Sequence, residues 1–161
     1  EAGIAKVGVM VEVPAAALRA KDVFSVADFV SIGTNDLAQY TMAADRLLGD
    51  LVDLLDPWQP AVLELVAAVS WASGEAKKPA GVCGESASDP LMALVLTGLG
   101  INSLSMSPAA VPGVRFALSR HTLAECEAIA GAARGGRTAQ ASRDAALALC
   151  DPEVREVLAL G

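Results

Sequence analysis

The sequence predicts an α/β fold made of four parallel βα units followed by C-terminal helices. Three observations predict it. A short apolar run, a cluster of polar residues and a helix start recur in that order four times along 161 residues. The apolar runs are nearly continuous rather than alternating, as in strands of a parallel sheet covered on both faces. The intervening segments have helical spacing, so each crossover is a helix and all four polar clusters fall at the carboxyl end of the strands.

The first unit is "KVGVMVEVP" (6–14), β-branched and apolar up to Glu12, with Pro14 opening an Ala-rich helix. The second is "ADFVSIGTND" (27–36), ending at Asn35 and Asp36 before a helical "LAQYTMAADR". A long helix follows in "PAVLELVAAVSWASGEAKK", where Val62, Leu65, Val66 and Val69 keep helical spacing and Gly74 and Pro79 mark the stop. The third unit is "PAGVCGES" (79–86), after which Ser88-Asp89-Pro90 sets a helix start for "LMALVLTGL". The fourth is "INSLSMSP" (101–108), followed by "AAVPGVRFALSR". The Ala-rich tail from His121 to Leu160 reads as one or two surface helices.

Four βα units are half of an eightfold barrel, and the chain opens on what reads as the tail of a preceding helix. A four-strand wedge leaves an unpaired strand edge at each side. The sequence therefore reads as truncated, with a missing half, a partner chain or a rearrangement expected to cover those edges.

A composition of 53% hydrophobic and 19% charged residues excludes a disordered chain, and one globular domain spanning 1–161 is expected. The net charge of −7, without a Lys/Arg cluster, argues against nucleic acid or an anionic membrane as partner. Residues 90–114 carry no charge, but Asn102, the serines, Pro108 and Pro112 would leave broken, unsatisfied backbone in lipid, so a core helix and a buried strand are expected there instead. Cys83, Cys126 and Cys150 have wide, unmatched spacing, which fits reduced thiols in a cytoplasmic protein better than a disulfide framework or a zinc site.

The strand ends carry the candidate chemistry. Glu12 and Asp36 would place two carboxylates on adjacent lips of one cleft, which suits a hard cation such as Mg²⁺. The structural alternative is that Glu12 pairs with a lysine and Asp36 caps the helix beginning at Leu37. Asn35 adds an amide beside a helix N-terminus, favourable to anions. Arg46 could turn back to grip a phosphate, or pair in solvent with Asp45 or Asp50. Cys83, in Gly81-Val82-Cys83-Gly84-Glu85, is either a proton donor approached closely through its glycines or a small buried hydrophobe. His121, the single histidine, lacks an acidic orienting neighbour before Glu125 and reads as a surface residue; "GGRTAQA" (135–141) reads as a decoy.

The motifs "VGVMVEVPAAAL", "FVSIGTNDLAQYTMAADR", "PAGVCGE" and "SLSMSP" closely resemble the phosphoenolpyruvate-binding (β/α)₈ TIM barrel of enzyme I of the bacterial sugar phosphotransferase system. The likeness runs from about Lys6 to Arg120. Pyruvate phosphate dikinase and phosphoenolpyruvate synthase share these strand ends, but the wording of the second motif is nearer to enzyme I. The resemblance implies that Glu12 and Asp36 are Mg²⁺ ligands, that Asn35, Asp36 and Arg46 surround phosphoenolpyruvate, and that Cys83 protonates the methylene carbon as pyruvate forms. It also implies transfer of the phosphoryl group to a histidine in a separate domain, a phosphocarrier protein downstream, and a homodimer built through the barrel. Two departures stand out: the phosphohistidine segment is not in this sequence, where Gln140 stands in the decoy instead of an imidazole, and Ser86-Ala87-Ser88-Asp89 follows "CGE" where the family commonly has Met-Ala-Gly-Asp. A dimerisation or regulatory module without turnover is the competing expectation from a different class.

Overall fold

The computed structural model describes residues 5–45 and 49–160. Its four strands are β1 (Gly8–Val11), β2 (Phe29–Gly33), β3 (Ala80–Cys83) and β4 (Ser103–Ser105), in one sheet ordered β1-β2-β3-β4. Every pairing is parallel. Each crossover is helical: α1 (Pro14–Leu18) and α2 (Ala20–Val26) after β1, and α3 (Thr34–Met42), a 3₁₀ helix (Gly49–Leu55) and α4 (Pro60–Ala76) after β2. After β3 come α5 (Glu85–Ser88) and α6 (Pro90–Gly98), after β4 comes α7 (Val111–Ser119), and α8 (Leu123–Arg134), α9 (Ala139–Leu149) and α10 (Pro152–Val157) complete the chain.

The helix boundaries follow from local chemistry. Proline occupies the first turn of α1, α4 and α6, where its missing N–H costs nothing. The Asp89 carboxylate accepts from the Leu91 and Met92 N–H groups, as its place before Pro90 predicts. Lys77 ends α4 in the left-handed region at φ 53°, and its N–H together with that of Lys78 closes the last turn onto Gly74 and Ser73. Asp36 is not a cap: α3 already begins at Thr34, so its carboxylate lies in the first turn.

Register places Val11, Ile32, Val82 and Leu104 side by side, and the first three are fully buried. They share one apolar cluster with Val62, Val66 and Val69 of α4 and Leu91, Leu94 and Leu96 of α6. The opposite face, carrying Met10, Ser31 and Ser103 by alternation, has no such cover: Met10 is 48% exposed and Ser103 is exposed.

Two expectations need correction. Four strands buried on both faces were expected, yet only the helix-facing side is continuously buried along β2 and β3, Phe29 of β2 is exposed on the other side, and the edge strands β1 and β4 expose Val9, Met10 and both serines. The ladders are also shorter than the sequence runs, β3 spanning four residues and β4 three. The tail holds three helices, not one or two, and α8 buries Cys126, Ile129, Ala130 and Ala133 where it packs on α6. Apart from Ile129 that face is made of alanine and cysteine, so its burial leaves a weak hydrophobic signature. Among the described residues no helix is long and apolar enough to cross a membrane.

Candidate active site

The carboxyl ends of all four strands lie at one level. Gly33 pairs in register with Cys83, and Cys83 with Ser105, while Glu12 follows Val11, the partner of Ile32. Alternation puts Glu12, Gly33, Cys83 and Ser105 on the face away from the helical cover. Glu12 leans across the end of β2, so that a Cβ built on Gly33 would fall 2.8 Å from both its Cγ and its Oε1. Only a glycine lets the carboxylate lie there. Asn35 and Asp36 stand in the first turn of α3, immediately beyond Gly33, with Asn35 exposed and Asp36 half-buried.

Cys83 is half-buried, and its thiol points at the Ile32 carbonyl oxygen 3.6 Å away. Gly84 then turns at φ 98°, a left-handed value that favours glycine, and brings Glu85 back toward α3. There the Glu85 carboxylate accepts from the Asn35 side-chain amide. An amide NH₂ has two hydrogens, so Asn35 keeps a second donor for a ligand. Behind this pair, the buried Thr34 hydroxyl lies 2.7 Å from Ser86 Oγ and 3.4 Å from the Cys83 carbonyl oxygen. An open cleft of about 630 Å³ runs from Asn35, Gly84, Glu85 and Ser88 to Ser105, Met106 and Ser107.

Glu12, Asn35, Asp36 and Cys83 are thus on the same end of the sheet, as expected; Arg46 lies outside the described residues. Sequence reasoning did not single out Thr34, Glu85 or Ser86. Glu85 was legible as part of a strand-end cluster, but its bond to an amide 50 positions away was not. Electrostatically the described mouth is acidic, since Glu12, Asp36 and Glu85 are the ionisable carboxylates it contributes. An anionic ligand there needs cations to offset them. Two carboxylates offer hard oxygen donors that fit Mg²⁺, whose remaining positions waters and substrate oxygens usually fill. Among the described residues no group of three or more His, Cys, Asp or Glu side chains forms a metal cage.

His121 is half-buried rather than a surface residue: its Nδ1 lies 2.8 Å from the Ala117 carbonyl and its Nε2 accepts from the Asp151 N–H at 3.0 Å, so it ties α7 to the start of α10. A cleft at the opposite end of the sheet holds Lys78 and Arg134, but both are already engaged. Lys78 Nζ donates to the Phe24 and Ala27 carbonyls at 2.5 and 2.8 Å, and Arg134 grips Glu64 with two bonds of 2.7 and 2.8 Å. That bond to Arg134 holds the Glu64 carboxyl below its ordinary range.

Positions 2–123 match the family of the PEP-utilising enzyme, PEP-binding domain. The chain belongs to that family. It is 55% identical over 154 residues to a phosphoenolpyruvate-protein phosphotransferase of Streptomyces coelicolor, covering 95% of this chain and 28% of the relative. A phosphoenolpyruvate-protein phosphotransferase of Latilactobacillus sakei is 47% identical over 71% of this chain and 20% of its own length. A multiphosphoryl transfer protein of Rhodobacter capsulatus is 42% identical over 74% of this chain and 14% of its own length. The chain thus spans less than a third of each of these relatives, and its membership rests on the segment that holds all four strands and α7.

Proposed function

We propose that this chain is the phosphoenolpyruvate-binding part of a phosphotransferase, the second half of a (β/α)₈ TIM barrel whose full protein moves a phosphoryl group from phosphoenolpyruvate to a protein histidine. The observation that carries the reading is the common level of the strand ends, which brings Glu12, Asn35, Asp36 and Cys83 to one mouth. In this reading Glu12 and Asp36 hold Mg²⁺, which when bound supplies positive charge against the carboxylate and phosphate oxygens of the substrate. Asn35 donates its second amide hydrogen to the substrate, and Arg46 offers a bidentate donor to the phosphate. Breaking the bond between phosphorus and the enol oxygen leaves the enolate of pyruvate. The Cys83 S–H then gives its proton to the methylene carbon, forming pyruvate and a thiolate that regains a proton from water. The names of the relatives favour this reading over a dikinase or a synthase. The phosphohistidine domain, the phosphocarrier protein, a homodimer and a cytoplasmic location belong to the same proposal.

Calorimetric titration of this chain with phosphoenolpyruvate tests it. Binding that requires Mg²⁺, and that Glu12→Ala and Asp36→Ala each abolish, is the expected result. No heat at millimolar substrate in the presence of Mg²⁺ would instead favour a scaffold without a site.

A further inference from the structure

We infer that the buried hydroxyl pair Thr34 and Ser86 is a positioning device for the Cys83 thiol, linking the start of α3 to the loop that follows β3. The assignment of Cys83 as proton donor rests on the function proposed above; the geometry of the link does not.

Thr34 is 2% exposed and Ser86 1%. Such hydroxyls must find partners inside the protein. The Thr34 oxygen lies 2.7 Å from Ser86 Oγ and 3.4 Å from the Cys83 carbonyl oxygen, but a threonine hydroxyl has one hydrogen. Both contacts are satisfied as bonds only when Ser86 donates to Thr34 and Thr34 donates onward to the Cys83 carbonyl. That chain ends on the backbone of Cys83 and begins on the residue two beyond Gly84, so it spans the left-handed turn. The thiol of the same residue is directed at the Ile32 carbonyl of β2, two residues before Thr34. Cys83 is therefore held to one neighbouring segment, 32 to 34, by its side chain and by its carbonyl. Cys83 is the last ladder residue of β3, in register with Gly33 and Ser105, so losing the Thr34 bond loosens the peptide where the chain leaves the sheet for Gly84, and the thiol with it.

Iodoacetamide labelling read by mass spectrometry tests the link, because Cys126 and Cys150 are each 2% exposed and report any general loosening. Thr34→Val should raise the labelling rate of Cys83 about tenfold, the factor equivalent to losing roughly one hydrogen bond, with Cys126 and Cys150 unchanged. Thr34→Ser should return the rate to that of the unaltered chain, and Ser86→Ala should give a smaller rise because Thr34 can still donate to Cys83. An unchanged Cys83 rate in Thr34→Val, failure of Thr34→Ser to restore it, or parallel labelling of the two buried cysteines would overturn the inference. A separate arm adds Mg²⁺ and phosphoenolpyruvate to the unaltered chain. Protection of Cys83 supports the proposed function, and its absence alongside a Thr34→Val effect rejects that function while the positioning role stands.

Discussion

Gly98, the last residue of α6, sits where α6 and α8 approach backbone to backbone. A Cβ at this position would fall 2.0 Å from the Cys126 carbonyl oxygen, 2.3 Å from its carbon and 2.8 Å from the Glu127 nitrogen. The first distance is about 1.4 Å short of the 3.4 Å at which ordinary contact begins, and the obstacle is main chain rather than a flexible side-chain tip. Gly98→Ala must therefore push α8 away from α6, opening the contact made by Cys126, Ile129 and Ala130. Overpacking of this kind costs about 1–3 kcal/mol when side chains can adjust, and a backbone clash lies at or above the upper end. Helix propensity returns at most about 1 kcal/mol for replacing glycine, so a net loss of roughly 2–3 kcal/mol is expected. Gly131→Ala in α8 is the internal control, because nothing lies within 4 Å of its Cβ position, and it should gain about 0.5–1 kcal/mol. Urea unfolding followed by far-ultraviolet circular dichroism measures both. A Gly98→Ala midpoint equal to or above that of the unaltered chain would refute the backbone approach described here.

Gly33→Ala should displace the Glu12 carboxylate with little effect on stability, because the atoms in the way belong to a half-exposed side chain; if the proposed Mg²⁺ site is correct, calorimetry should record affinity for the ion reduced at least tenfold, while an unchanged affinity removes Glu12 from the site. Burial holds the Cys126 and Cys150 thiols above the ordinary thiol range. Between the ordinary value of about 8.5 and the raised folded value, the unfolded chain binds fewer protons, so stability is intact below that window and falls as pH rises through it. The Cys126→Ala, Cys150→Ala double variant should lose less of its urea midpoint between pH 7.5 and 10 than the unaltered chain, and an identical loss would count against this linkage.

The strand positions and their polar ends were legible because a buried parallel strand needs an apolar run and a ligand-facing end needs polar groups, as in the passages from Val7 to Glu12 and from Val30 to Asp36. Proline marked the start of α1 and aspartate with proline that of α6 for stated stereochemical reasons. The start of α3 was misread because Asp36 looks like a cap, whereas the backbone turns helical two residues earlier at Thr34. β4 was read as buried although Ser103 and Ser105 flank Leu104 at the two-residue period of a strand with one wet face. The bonds from Asn35 to Glu85 and from Thr34 to Ser86 bridge 50 and 52 positions, and no local pattern encodes a partner that distant.

The strands lie side by side in the same order in which they are synthesised. Each new strand leaving the ribosome can dock on the one made just before it, without waiting for a distant segment, and the loop-closure entropy of every step is limited to a single crossover. Growth by such increments always leaves its newest rim adhesive. The rim of β4, with Ser103 and Ser105 exposed, is then the last part of this sheet to meet a partner.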